Sequence, residues 1–92
     1  MRLRWDRRAI KDVQAIYAYI AADNPKAAKR VVDRIDKSVG RLLIMPMSAR
    51  AGITKGTRVL VVPRVPYVVV HGVRGETVDI IAVLHTARRR RR

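Results

Sequence analysis

The apolar residues of this chain change their spacing once, and that change limits the fold more than any other feature. In "RRAIKDVQAIYAYIAA", Ile10, Val13, Ile16, Tyr17 and Ile20 recur at helical spacing with Arg8, Lys11, Asp12 and Gln14 between them, which predicts a helix from about Asp6 to Ala22. In "DNPKAAKRVVDRIDKSVGRLLIMP", Asn24 suits a helix N-cap and Pro25 the first helical position. Ala28, Val31, Val32, Ile35, Val39, Leu42 and Leu43 form the apolar stripe, and Pro46 stops the helix. Only two or three residues separate the two helices, so they must fold back as an antiparallel hairpin.

Beyond the aperiodic "MSARAGITKG", which reads as a loop, the period becomes that of strands. "TRVLVVP" ends at Pro63, "YVVVHGV" starts after Pro66, and "VDIIAVLH" follows the turn signal "RGET". "MRLRW" has the alternation of a further strand, with Leu3 on one face and Arg2 and Arg4 on the other. The expected fold class is α+β: an N-terminal strand, then a helical hairpin packed on one face of a small C-terminal antiparallel sheet of three to four strands. A two-residue turn at Arg74-Gly75 or Gly75-Glu76 places Tyr67, Val69 and His71 on one face with Val78, Ile80, Ala82 and Leu84, and His85 on the other. A three-residue turn reverses that assignment.

Ninety-two residues, 49% of them hydrophobic, suffice for one modest core. With no Phe and a single Trp, that core is aliphatic. The absence of cysteine excludes disulfides and thiolate-held zinc and fits a reducing cytoplasm, where the protein is expected. No stretch has the length of a membrane span, and the start lacks the apolar core of a signal peptide. The formal net charge is +14, and setting aside the five arginines 88–92 still leaves +9. Such a field draws in phosphates and acidic protein surfaces alike, so charge alone does not choose between them.

Little in the spacing points to catalysis. Ser38 and Ser48 have no histidine at a spacing that links them, and His71 and His85 have only Asp79 as a certain acidic neighbour for a metal; no cofactor is implied. "GITKGT" looks like a phosphate-binding loop, but its lysine precedes the second glycine and a strand follows instead of a helix. One non-classical set remains, in which Arg58, His85 and Arg88 act on RNA as cations and a proton carrier. The same residues equally suit an edge-strand charge, a strand-end histidine and the start of a tail.

Three strings in order, "DNPKAAKRVVDRI", "GTRVLVVPRVPYVVV" and "VDIIAVLHTAR", resemble the ParE branch of the RelE/ParE toxin superfamily from Trp5 to Arg88. The resemblance implies one toxin domain over residues 1–88, with 89–92 as a basic tail. It also implies a type II toxin–antitoxin module in which a ParD-like antitoxin neutralises a protein that inhibits DNA gyrase by binding; the basic sheet end and cationic tail suit an electrostatic contact with DNA in addition. The RelE-like branch, which cuts mRNA on the ribosome, is the alternative. This chain departs from it: Val68 stands where that branch places an arginine, Thr86 stands near its second arginine, and no tyrosine follows Tyr67. His71 occupies a position where the ParE pattern often has an aromatic residue. A plain basic nucleic-acid-binding module is a third reading, without a recognition helix or aromatic platform to support it.

On this resemblance the target-facing set is Arg58, His85, Arg88, Arg89 and Arg90. The antitoxin-facing set is Tyr17, Tyr19, Arg30 and Arg34, reached through a groove between hairpin and sheet that suits a segment folding on binding. Tyr17 falls on the apolar stripe, the place of a core residue, whereas Tyr19 departs from it.

Overall fold

A computed structural model describes residues 1–46 and 56–87, together with the backbone of Arg50–Ala51. Strand β1 (Arg2–Trp5) leads into helix α1 (Arg7–Ala21). Helix α2 (Pro25–Arg41) follows, then strands β2 (Arg50–Ala51), β3 (Thr57–Val61), β4 (Tyr67–Arg74) and β5 (Thr77–His85). The expected helices and strands form within a few residues of their predicted bounds. Asn24 caps α2, its side-chain oxygen accepting from the Ala27 N–H at 3.1 Å with Pro25 behind it. At α1 the N-cap position is held by Asp6, whose side chain makes no cap bond and instead pairs with Arg4.

The strands form one sheet in the order β1-β5-β4-β3-β2. It has five strands instead of three to four, because the two-residue β2 pairs with β3 inside the stretch expected to be loop. The sheet is also mixed: β1 lies parallel to β5, with Leu3 opposite Val78 and Trp5 opposite Ile80, and the other neighbours are antiparallel. β1 therefore enters the sheet beside the last strand made. On its outer face, Asp79 accepts from Arg74 Nε at 2.8 Å and lies 3.4 Å from Arg4, which ties three strands together. The Arg74 hydrogen bonds hold the Asp79 carboxyl below the usual carboxylate range.

The helical hairpin covers one face of the sheet. Ala9 of α1 and Ile35, Val39 and Leu42 of α2 pack with Val62, Tyr67, Val69, Val78, Ile80 and Val83, while Leu3, Trp5, Val13, Ile16, Val31, Leu60, Val65 and Val73 pack around them. The predicted stripes enter this core in part: Val13 and Ile16 of α1 and Val31, Ile35, Val39 and Leu42 pack in it, whereas Ile10 and Tyr17 are each 44% exposed and Leu43, also exposed, follows the end of α2.

The β4–β5 turn has two residues, Gly75-Glu76, and Gly75 takes a positive φ of 59° that favours glycine. The face assignment built on such a turn holds only as far as Ile80. A bulge follows: Ile80 pairs with His71 and Ala82 with Val70, so Ile81 is an extra residue in β5. The slip turns Val83 and His85 to the face of Tyr67 and Val69, and turns Ala82 and Leu84 away from it. The expectation that His85 lies on the opposite face is thus corrected by one inserted residue.

Candidate functional site: a groove between helix α1 and the sheet

Beyond the bulge β5 outruns β1, whose last pair is Trp5 with Ile80. Helix α1 takes over there. Its Asp12, half-buried, accepts from the Val83 N–H at 2.9 Å, and Arg8 lies 3.7 Å from the same oxygen, one turn earlier. A strand amide that would otherwise face an edge is thereby satisfied by a helix carboxylate. The bond fixes how α1 crosses the end of the sheet.

The crossing leaves a groove of ≈ 760 Å³. Its walls are Asp12, Ala15, Ile16, Tyr19 and Ile20 of α1, Val31 of α2, and Pro66, Tyr67, Val83 and His85 from the sheet end. Tyr67 and His85, opposite one another in the register, meet edge to face with ring centroids 5.3 Å apart at 84°. His85 Nδ1 accepts from the Ala87 N–H at 3.1 Å, which leaves the ring proton to Nε2. Tyr19 stands at the rim, 82% exposed, and also borders a second hollow with Ile20, Ala22, Asp23 and Asn24 at the hairpin turn. Burial, with Tyr19 nearby, pushes the Tyr67 phenol above its usual range. The surface is mainly apolar with two tyrosines, one histidine and one carboxylate, a composition suited to binding a peptide segment.

The structure brings some of the expected site residues together and separates others. Tyr19 and His85 meet at the groove. Tyr17 is exposed on α1 but is not among the groove's lining residues, and Arg30 and Arg34 on α2 are also absent from that lining. Arg58 pairs with His71 and His85 with Tyr67, four β4 residues apart, so they stand about 13 Å apart along the strand. They share a face without forming one centre. Arg88, Arg89 and Arg90 lie outside the described residues. Val68 is buried opposite Leu84, on the face turned from the helices. Among the described residues no three potential metal ligands come together, and no helix is long and apolar enough to cross a membrane.

Sequence reasoning did not single out Asp12 or assign a role to Tyr67. Asp12, Ile16 and Tyr19 do recur at i, i+4 and i+7, a second stripe beside the core stripe that would have marked the groove wall. Bringing in Tyr67 and His85 required the bulge, for which the sequence has no comparable signal.

Residues 3–90 match the family model of the ParE toxin of the type II toxin–antitoxin system, parDE. The chain is 42% identical over 84 residues to a toxin of Sinorhizobium fredii named Y4kP, spanning 91% of this chain and 86% of that one. It is 33% identical to toxin RelE2 of Caulobacter vibrioides over 84 residues, 91% and 93% of the two chains. Among solved structures it is similar to a chain of the chromosomal ParDE system from P. aeruginosa, with a TM-score of 0.82 and 28% identity over 92% of this chain and 95% of that one.

Proposed function

The chain belongs to the ParE family of type II toxin–antitoxin toxins, and from that membership we propose that it arrests DNA gyrase by binding and is neutralised by a ParD-like antitoxin seated in the groove between α1 and the sheet. The observation that carries the antitoxin half is the groove itself: an aromatic-rimmed, mainly apolar channel at the open end of a strongly basic molecule. An acidic, amphipathic segment is drawn in by the charge and held by the apolar walls. Tyr19 and His85 are its central contacts, with Tyr17 farther out on α1.

Action on gyrase requires tighter binding to the enzyme's DNA-cleaved state than to its other states, because a ligand shifts an equilibrium only by its differential affinity. Arg58 and His85 are the described residues offered to that target, and the arginines from Arg88 onward add to its charge. The separation of Arg58 from His85 and the buried valine at position 68 favour binding over RNA cleavage.

A gyrase supercoiling assay with the purified chain tests the target. Supercoiling falls and cleaved complexes accumulate if the proposal holds; undiminished supercoiling at levels that arrest growth overturns it, and mRNA cuts inside translated codons would point to the ribosome instead. For the groove, Tyr19→Ala and His85→Ala are each expected to weaken antitoxin binding by about tenfold or more, the loss typical of a buried aromatic anchor. Titration calorimetry reads that loss.

A further inference from the structure

Helix α2 carries its cations in one row. Lys26, Arg30, Arg34, Lys37 and Arg41 succeed one another at steps of four, four, three and four residues, which places them on one side of the helix. Four are exposed and Arg34 is half-buried. The row runs about 22 Å along the axis, with neighbouring side chains rooted about 6 Å apart. Of the acids of α2, Asp33 adjoins the row, three residues after Arg30 and four before Lys37, but is engaged by Lys29 at 3.0 Å, and Asp36 lies farther round the helix. Among the described residues none of the five cations makes an ion pair. Stacked like charges at i, i+4 weaken a helix, so the row costs stability and returns none through internal pairing.

We propose that this ridge binds the phosphate backbone of duplex DNA without reading its sequence. The proposal does not rest on gyrase as target, since none of the five residues lines the groove. Charge and shape favour DNA over an acidic protein. A stable protein interface is anchored by buried aromatic or aliphatic residues, and the ridge has neither along its length. A row of cations on a rigid helix instead suits a run of regularly spaced, fixed negative charges. Each DNA strand presents a phosphate about every 3.4 Å of axis while winding round it, so a straight ridge meets only a few neighbouring phosphates before the strand turns away. Such contacts position a protein on DNA without specifying a sequence.

The test compares two variants of the full chain with equal net charge. One carries Lys26→Gln, Arg30→Gln and Lys37→Gln on the ridge; the other carries Arg2→Gln, Arg7→Gln and Arg64→Gln elsewhere. Fluorescence anisotropy with a mixed-sequence 30-base-pair duplex measures affinity as salt is raised. The ridge variant is expected to bind about tenfold more weakly at 100 mM salt, with a log–log salt slope shallower by roughly two to three, since each lost phosphate contact removes about 0.9. The control variant is expected to keep the parent slope. Equal losses in both variants would mean that only overall charge matters and would overturn the proposal. So would a ridge variant that binds DNA like the parent but no longer binds poly-glutamate. If the triple ridge variant does not unfold cooperatively by circular dichroism, Arg30→Gln and Lys37→Gln are measured singly. Each is expected to lower the slope by about one, and no change in either overturns the proposal.

Discussion

A histidine sealed inside a sheet with neither ring nitrogen bonded is costly, and His71 is such a residue. It is fully buried on the helix-covered face, and among the described residues neither Nδ1 nor Nε2 has a partner. Burial, reinforced by Arg58 across the strand pair, holds its pKa below the ordinary histidine value. The sign follows. The unfolded chain binds a proton more readily than the native one, so His71 leaves stability intact above about pH 6.5 and erodes it as pH falls from there through the lowered native pKa. His71→Leu is expected to raise stability by about 1 kcal/mol or more and to flatten its fall toward pH 5. Urea unfolding of both proteins across pH 5–8 measures this, and parallel curves would refute it. The sequence placed His71 on the face of Tyr67 and Val69 by alternation. It did not show the burial, because that depends on which face the helices choose.

Elements, more than residues, were legible in advance. Asn24-Pro25, the two apolar stripes and the glycine turn at Gly75 announced their elements because each is a local signal with a local cause. Asn24→Ala is accordingly expected to cost about 1 kcal/mol of stability, read as a lower urea midpoint, through loss of the bond to the Ala27 amide. What stayed hidden is non-local. A two-residue strand such as β2 has too few positions to show a period, and it forms because β3 offers an edge. The extra residue at Ile81 reads as one more aliphatic in an aliphatic run, yet it decides which face His85 joins and therefore whether Tyr67 and His85 meet. Asp12 gains its role only once β5 extends past β1 and presents the Val83 amide.

At the scale of the whole molecule, charge and topology act together. None of the five ridge cations lines the groove, so the two proposed partners, an antitoxin segment and duplex DNA, call on different residues. The sequence announced the field of +14 but not its division into surfaces, which needed the helix axis and the sheet to be in place. The position of β1 beside β5 has a consequence in time. β1 has β5 as its sheet neighbour, so their pairing must wait until both helices and the intervening strands have been made. A fragment ending at Glu76 is expected to show helical circular dichroism without a cooperative melt; a cooperative transition would show that the sheet closes without β5. Since Tyr67, Val83 and His85 come together only when β5 docks, a chain that stops short of β5 carries an unfinished binding surface, and the groove exists only once that strand has been added to the sheet.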